Sequence, residues 1–216
     1  MKPNYQIKDV KCFNVDCMDF MKDVDDNYYD LAIVDPPYGL NTNKTGILNF
    51  RMKETEKKWN TAPKKEYFNE LFRISKHQII WGGNYFPYIW SLGGRCFVYW
   101  HKGNPVPNFA DGELAWTSFN KNAKQCDLRY YGNIEGKTSA SKKHHPTQKP
   151  IQLYKWLLEN YAKQGNKIID THGGSMSLAC ACLDMGFDLD IMEIDKEYFD
   201  NAVNRLKNNV QEYLEF

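Results

Sequence analysis

Long apolar runs are missing from this 216-residue sequence, which has no stretch of about 18 consecutive apolar residues and therefore no predicted membrane-spanning helix. The first residues, MKPNYQIKDV, do not have the pattern of a signal peptide. The six cysteines form no Cys-x-x-Cys pair, so a zinc knuckle is not indicated, and no other metal site is predicted. Free thiols of this kind are typical of a reduced, cytoplasmic protein, which is the predicted location.

Net charge is also small, at +1, which argues against a uniformly basic nucleic-acid-binding surface. The basic residues are nevertheless concentrated in two segments. Residues 41–65 hold seven Lys or Arg against two Glu, and residues 120–145 hold six against two acidic residues. Because two solvated lysine-rich loops would give the same pattern, the charge distribution alone does not establish nucleic-acid binding.

Hydrophobic residues make up 42% of the chain and aromatic residues 15%, which excludes a disordered protein. The length predicts one domain over residues 1–216, into which two polar, basic segments are inserted as long loops, at about 40–62 and 119–145. Apolar runs alternate with helical patterns, and this alternation predicts an α/β fold with a mostly parallel sheet and helices on both faces. Strands are predicted at 10–15, 30–34, 78–81, 96–100, 114–117, 167–169 and 187–192, and helices at 17–24, 63–76, 151–163, 177–185 and from about 195.

The strongest chemical signal is the tetrapeptide Asp35-Pro36-Pro37-Tyr38, which directly follows the apolar run 30–34. In an open α/β sheet, ligands bind beyond the carboxyl ends of the strands. The tetrapeptide offers a carboxylate, a backbone carbonyl on a stiff proline frame and an aromatic face at such a place. A simple proline turn after a buried strand is the alternative interpretation.

The second signal is the segment 169–177, Ile-Asp-Thr-His-Gly-Gly-Ser-Met-Ser, which follows a predicted strand and opens a predicted helix. In that context a glycine loop lets the backbone approach a nucleotide-like cofactor. The next strand ends in Glu193-Ile194-Asp195, and an acid at that position fits a ribose diol. Asp195 is better explained as a helix cap.

Together, these segments resemble the amino-directed DNA methyltransferases, which modify adenine N6 or cytosine N4. The family's signature, Asp/Asn/Ser-Pro-Pro-Tyr/Phe/Trp, is matched in full by residues 35–38, and the resemblance covers nearly the whole chain. The catalytic signature precedes the cofactor loop, as in the beta class of the family. The resemblance implies a Rossmann-like methyltransferase fold with a seven-stranded sheet, and S-adenosylmethionine as the cofactor.

The resemblance also implies where the cofactor binds. Lys149 belongs to the family run His-Pro-Thr-Gln-Lys-Pro at 145–150 and is expected to meet the cofactor's carboxylate. Met176 replaces a usual glycine, and we expect its side chain to crowd the methionine part of the cofactor. Val15 likewise replaces a glycine before Asp16. The implied cofactor-binding residues are Asp16, Cys17, Asp35, Lys149, Asp170, Thr171, His172, Gly174, Ser175 and Glu193.

The implied catalytic residues are Asp35, Pro36, Pro37 and Tyr38. In the family a flipped-out base lies over the aromatic residue, and its exocyclic amine donates hydrogen bonds to the acidic side chain and to the first proline's carbonyl. These acceptors suit the chemistry, because a ring-conjugated amine is a poor nucleophile until its nitrogen is drawn towards sp³ geometry. Methyl transfer then needs neither a metal nor a covalent enzyme intermediate.

DNA is the implied substrate. Arg129 is a candidate for a base contact, and Trp100 for a wall of the base pocket, although core packing is the preferred explanation for Trp100. The lysines expected to meet phosphates are Lys53, Lys57, Lys58, Lys64, Lys65, Lys121, Lys124, Lys142 and Lys143.

Asp at the head of the tetrapeptide favours adenine N6 as the acceptor. Cytosine N4 and a catalytically impaired DNA-binding homologue stay open as alternatives, the second because of Met176 and Val15. A dinucleotide-dependent oxidoreductase is not favoured, since the Gly-x-Gly-x-x-Gly spacing is missing. The resemblance allows two protein partners, namely a second copy of the chain and a cognate restriction endonuclease.

Overall fold

The computed structural model describes residues 1–40, 61–103, 110–129 and 148–214. Nine strands in these ranges form one sheet, in the order β1-β2-β9-β8-β3-β4-β6-β5-β7. The strands are β1 (Tyr5–Ile7), β2 (Val10–Phe13), β3 (Tyr29–Val34), β4 (Ser75–Trp81), β5 (Phe97–His101), β6 (Gly112–Thr117), β7 (Lys124–Asp127), β8 (Lys167–Asp170) and β9 (Asp188–Met192).

The five neighbouring strands β2, β9, β8, β3 and β4 run parallel to one another. β6 is antiparallel to both β4 and β5, and β7 pairs with β5 in parallel. β1 forms an antiparallel edge with β2. The parallel strands therefore end together at one edge of the sheet, and antiparallel β6 begins at that same edge.

Helices cover both faces of the sheet. They are α1 (Cys17–Met21), α2 (Lys65–Ile74), α3 (Pro87–Ser91), α4 (Ile151–Tyr161), α5 (Ser177–Met185) and α6 (Lys196–Leu214), and a 3₁₀ turn spans Gly83–Tyr85. Residues of α4, α5 and α6 share one hydrophobic core, and residues of α1, α2 and α3 share the other.

Strand β3 shows how the sequence produces this layering. Successive side chains of a strand point to opposite faces, and Leu31 and Ile33 belong to the first core while Ala32 and Val34 belong to the second. All four are at most 1% exposed. A strand buried on both faces must be continuously apolar, which is why the run 30–34 was recognisable in the sequence.

The predicted mostly parallel sheet with helices on both faces is confirmed, but it has nine strands in the described residues where seven were predicted. The two extra strands, β1 and β7, are three and four residues long, and neither has an apolar run. β7 lies within the segment 119–145, so part of this predicted insertion is a strand. The helix predicted at 63–76 ends at Ile74, because β4 begins directly at Ser75.

The first predicted insertion lies mostly at 41–60, outside the described residues, as do positions 130–145 of the second. The assignment of 1–216 to one domain stays a prediction. Among the residues that the structure describes, no helix is long and apolar enough to cross a membrane.

Candidate functional site

The predicted site residues come together at the edge where the parallel strands end. Each of these strands places a short polar or glycine-containing segment there, as expected for an open α/β sheet. Glu113, the second residue of β6, reaches the same edge because β6 runs antiparallel to β4. The segments are Asp16-Cys17 after β2, Glu193 after β9, Asp170–His172 at the end of β8, Asp35–Tyr38 after β3 and Gly82-Gly83 after β4.

Lys149 lies at the centre of a cluster of charged side chains. Its Nζ is 2.5 Å from Asp35 Oδ2, 3.1 Å from Glu113 Oε2 and 3.3 Å from the Tyr38 hydroxyl. The Tyr38 hydroxyl donates a hydrogen bond to Asp35 Oδ1 at 2.8 Å. Lys102 binds the other oxygen of Glu113. Two carboxylates and two ammonium groups thus balance in a largely buried place, where Lys149 is 5% exposed.

The pKa values in this cluster reflect the pairing. Burial alone would lower the pKa of Lys149, but the carboxylates of Asp35 and Glu113 raise it above its ordinary value. Burial raises the pKa of Glu113, yet Lys149 and Lys102 outweigh it and bring that pKa to about 2. Burial and the two carboxylates raise the pKa of Tyr38, so its hydroxyl stays protonated and able to donate.

Lys149 was predicted to meet the carboxylate of a cofactor. In the structure its three N–H donors face Asp35, Glu113 and Tyr38. The predicted role therefore remains a prediction, while the observed contact is with the tetrapeptide. Positions 145–147 of the run that contains Lys149 lie outside the described residues.

The ring of Tyr38 is held by the segment that follows β4. It stacks on Tyr85, with ring centroids 5.0 Å apart and planes 23° apart, and it meets Phe86 edge-on. Gly82 has a positive φ of 67°, and a Cβ there would lie 2.2 Å from Tyr38 Cε1. Only glycine therefore lets the backbone approach the Tyr38 ring at this point.

The turn after β8 carries a buried polar chain. The Tyr67 hydroxyl is 2.6 Å from Thr171 Oγ1, which is 2.9 Å from Nδ1 of His172. Burial lowers the pKa of His172 to about 4, so the imidazole is neutral and its Nδ1 can accept from Thr171. The His172 backbone N–H in turn donates to Asp170 Oδ1 at 3.0 Å. His172 is thus held as a neutral ring and is not placed as a base.

Glu193 ties the loop after β8 to the end of β9. Its Oε2 accepts the Gly174 backbone N–H and its Oε1 accepts the Asp195 backbone N–H, both at 2.8 Å. Because a carboxylate offers roughly four acceptor sites, Glu193 keeps capacity for a further hydrogen bond, of the kind that a ribose hydroxyl would donate. Burial raises the pKa of Glu193 despite these donors. Asp195 caps α6, as predicted, by accepting the backbone N–H groups of Glu197 and Tyr198.

At the end of β2, Asp16 is the N-cap of α1, and its Oδ1 accepts the Met18 backbone N–H at 2.8 Å. The Asp16 side chain is also exposed at the edge where Glu193 lies, so capping leaves room for a ligand contact. Burial raises the pKa of Cys17 to about 12, which keeps its thiol neutral. Asp16 and Cys17 therefore lie at the site's edge, where Asp16 offers a carboxylate acceptor and Cys17 a neutral thiol, and their roles toward a cofactor stay predictions.

Ser175 and Met176 face the protein interior. The Ser175 hydroxyl is 3.1 Å from that of Ser177, and Arg205 donates to the Ser175 carbonyl at 2.7 Å. Met176 adopts a left-handed backbone conformation, with φ at 55°. Its side chain is 0% exposed and belongs to the core that contains α4 and α5. The Met176 side chain therefore packs into the core, and its effect on cofactor binding stays a prediction.

The residues predicted to bind nucleic acid divide between two edges of the sheet. Lys64 and Lys65 are exposed at the start of α2, and exposed Arg129 follows the end of β7 beside Gly103. Lys121 lies at the opposite edge, where it donates to the Asn160 carbonyl.

β6 runs antiparallel to β4 and therefore ends at the edge opposite Tyr38, where Lys121 follows it. β7 runs parallel to β5 and begins at that same opposite edge with Lys124. The two lysines therefore do not share the site's edge. Trp100 is 1% exposed and packs in the core, which was the preferred explanation for this residue. Lys53, Lys57, Lys58, Lys142 and Lys143 lie outside the described residues.

Several site residues had no recognisable signal in the sequence. Glu113 and Tyr67 reach the site through strand pairing and helix packing, and neither belongs to a motif. Lys102 ends the run Tyr99-Trp100-His101-Lys102, which resembles family runs around the base pocket, but its contact with Glu113 could not be predicted. Gly82 could have been suspected from the Trp-Gly-Gly-Asn run after a strand, but its contact with Tyr38 could not. In the described part of the chain, no group of three or more His, Cys, Asp or Glu is placed to hold a metal ion.

Asp170 provides a pH-dependent test of the site. Burial raises its pKa to about 8 from an ordinary 3.8, and the Asp35 and Glu193 carboxylates add to the shift although the His172 N–H opposes it. The native state thus keeps a proton that the unfolded chain releases between about pH 4 and 8. We therefore expect the free energy of unfolding to fall as pH rises through this window and to level off above it.

Asp170→Asn keeps a side-chain oxygen that can accept the His172 backbone N–H, and it removes the titratable carboxyl group. Urea unfolding without added cofactor should show the variant gaining about 1–3 kcal/mol over the wild type between pH 5 and pH 7. Exposed Asp25, changed to Asn, serves as the matched control and should track the wild type. A constant difference between Asp170→Asn and wild type across this range would contradict the raised pKa.

Comparison with known proteins points to one family. A family model described as DNA methylase, N6_N4_Mtase, matches residues 53–204. The chain is 23% identical to the Type II methyltransferase M2.MboI of Moraxella bovis, over 98% of this chain and 96% of that protein. It is 26% identical to the Type II methyltransferase M.HinfI of Haemophilus influenzae, over 89% of this chain and 67% of that protein.

Solved structures share the fold. The M1.HpyAVI–SAM complex superposes with a TM-score of 0.60 at 23% identity, covering 91% of this chain and 99% of that one. The PvuII DNA methyltransferase, described as cytosine-N4-specific, superposes with a TM-score of 0.64 at 13% identity, covering 94% and 88%. The sheet and helices described above are thus those of Rossmann-like DNA methyltransferases.

Proposed function

Because the chain belongs to the N6/N4 DNA methylase family, we propose that it transfers a methyl group from S-adenosylmethionine to the exocyclic N6 of adenine in a flipped-out base. The observation that carries this proposal is the placement of Asp35–Tyr38 at the end of β3, beside the glycine loop that follows neighbouring β8. Acceptor, aromatic face and cofactor loop then meet at one edge of the sheet.

The residues present fit an adenosyl cofactor. Glu193 keeps free acceptor capacity for a ribose hydroxyl, and exposed Asp16 lies at the same edge for an adenine amino group. Asp170, Thr171, His172 and Gly174 form the loop between them and the tetrapeptide. Ser175 is proposed as a loop-shaping residue, since its side chain is buried. These residues would hold the cofactor, together with Cys17, the first residue of α1.

S-adenosylmethionine would supply a methyl group on a sulfonium sulfur. As the amine lone pair forms the new carbon–nitrogen bond, the carbon–sulfur bond would break and leave its electron pair on sulfur. Asp35 and the Pro36 carbonyl accept the two N–H groups of the amine and turn its lone pair towards the methyl group. Pro37 stiffens the turn, and Tyr38 supports the base by stacking. The methylated amine then releases one proton to water.

Adenine is favoured over cytosine because the tetrapeptide begins with Asp. On the DNA, Lys64 and Lys65 at the start of α2 are suited to phosphates, and Arg129 is suited to a base edge. The cytoplasmic location, a second copy of the chain and a cognate restriction endonuclease as partners belong to the same proposal.

The acceptor base can be identified in cells. We would express the protein in a bacterial host without DNA methylases of its own and analyse the nucleosides of its DNA by mass spectrometry. N6-methyladenine is the expected product. N4-methylcytosine alone would keep the chemistry and overturn the base. Unmodified DNA from cells that contain folded protein would favour the DNA-binding homologue instead.

A further inference from the structure

Glu113 binds both lysines of the charged cluster although it belongs to no sequence motif. Its Oε2 is 3.1 Å from Lys149 Nζ, and its Oε1 accepts from Lys102. Strand direction places Glu113 there: β6 runs antiparallel to β4, so the first residues of β6 lie at the edge where β4 ends. The side chain of Glu113 is 24% exposed and that of Lys102 is 19% exposed.

A structural role alone does not account for this arrangement. Lys149 and Asp35 already neutralise each other at 2.5 Å. Glu113 and Lys102 add a second, partly buried ion pair. Such a pair often stabilises the fold no more than apolar side chains of the same volume would, because both charges lose contact with water. The addition does fix the ammonium of Lys149, whose three N–H groups then face Asp35, Glu113 and Tyr38.

We propose that Glu113 is a positioning residue for methyl transfer, which holds the Lys149 ammonium on Oδ2 of Asp35 and leaves Oδ1 for the target amine. This inference rests on the proposed function. Within the described residues, Oδ1 accepts one hydrogen bond, from the Tyr38 hydroxyl at 2.8 Å, so it keeps a lone pair for an incoming amine. The same hydroxyl lies 3.4 Å from Glu113 Oε2. Without Glu113, the ammonium would be free to move across the carboxylate and compete with the amine for both oxygens.

Glu113→Gln tests the charge while keeping the size and one acceptor oxygen. With cofactor and DNA saturating, we expect the single-turnover rate of methyl transfer to fall at least tenfold, with cofactor Kd changed less than twofold. A residue that only fills space would leave the rate of the Gln variant unchanged. Glu159→Gln, an exposed position on α4, is the matched control and should behave as wild type.

The pH profile adds a readout that a packing role would not move. With one carboxylate removed, burial counts for more and the pKa of Lys149 falls. Glu113→Gln should then lose rate at a lower alkaline pH than the wild type does. The titratable groups facing Lys149 are Asp35 and Tyr38 after β3, Glu113 on β6, Tyr154 on α4 and Asp170 on β8, with Lys102 behind Glu113.

Lysine NMR reads the same contact without DNA. The ¹³Cε resonance of Lys149, assigned by its loss in Lys149→Gln, should titrate at lower pH in Glu113→Gln than in wild type. Unchanged titration and an unchanged methyl-transfer rate would each overturn the role of Glu113. Wild-type protein that transfers no methyl group would contradict the proposed function, whereas the hold of Glu113 on Lys149 is read by the NMR titration alone.

Discussion

Asp35→Ala should lower the rate of methyl transfer to DNA by about 10²–10³-fold or more, the loss seen when one preorganised polar group is removed from a reaction centre. The carboxylate is the side-chain acceptor for the target amine in the proposed mechanism. It is also the partner of Lys149 at 2.5 Å and of Tyr38 at 2.8 Å, so its loss leaves Glu113 as the carboxylate that both groups still contact. The measurement is single-turnover transfer of labelled methyl groups with cofactor saturating.

Two further variants make the result specific. Asp35→Asn keeps one acceptor oxygen, and the family signature admits Asn, so it should retain a measurable rate between those of wild type and Asp35→Ala. Asp25→Ala removes an exposed carboxylate distant from the site in the turn before β3 and should leave the rate unchanged. Full activity of a folded Asp35→Ala protein would show that the amine is not activated by this carboxylate.

Gly82→Ala should reduce methyl transfer by about 10²-fold, because a displacement of about 1 Å at a reacting group is enough for such a loss. The new Cβ would lie 2.2 Å from Cε1 and 2.6 Å from Cζ of Tyr38, so the ring has to move. That ring is the proposed support of the flipped base. The same single-turnover assay, combined with urea unfolding, separates the loss of rate from loss of stability.

Gly93→Ala is the matched control for Gly82→Ala. Gly93 has nearly the same backbone, with φ at 64°, but no atom lies within 4 Å of the Cβ it would gain. Both variants therefore carry the left-handed penalty of about 1–2 kcal/mol, and only Gly82→Ala displaces Tyr38. Equal losses of rate in the two variants would indicate that backbone strain, and not the position of Tyr38, limits the reaction.

The parts of the fold that could be predicted are those written in local sequence. The buried run before Asp35 identifies β3, and helix α4 follows from the spacing of Tyr154, Leu157 and Tyr161. β7 could not be predicted, since Lys-Gln-Cys-Asp has one buried residue, Cys126, and is held by its pairing with β5. Short edge elements depend on their neighbours more than on their own composition.

The site shows the same division. Asp35, Glu193 and the loop after β8 follow strands that the sequence reveals, so their meeting at one edge could be expected. Glu113 arrives through an antiparallel strand, and its link to Lys149 is visible only in three dimensions. The side-chain direction of Met176 was also beyond sequence reasoning, because one left-handed residue decides whether it faces the loop or the core.

Methyl transfer by the purified protein is the most direct test of the proposed reaction. The wild-type protein is incubated with tritiated S-adenosylmethionine and unmethylated mixed-sequence DNA, which is then digested to nucleosides and separated. We expect label in N6-methyladenine, and about 10²–10³-fold slower labelling, or slower still, when Asp35→Ala replaces the wild type. Folded wild-type protein that binds S-adenosylmethionine yet places no label in any nucleoside, across DNA that contains every short sequence, would contradict the proposed reaction.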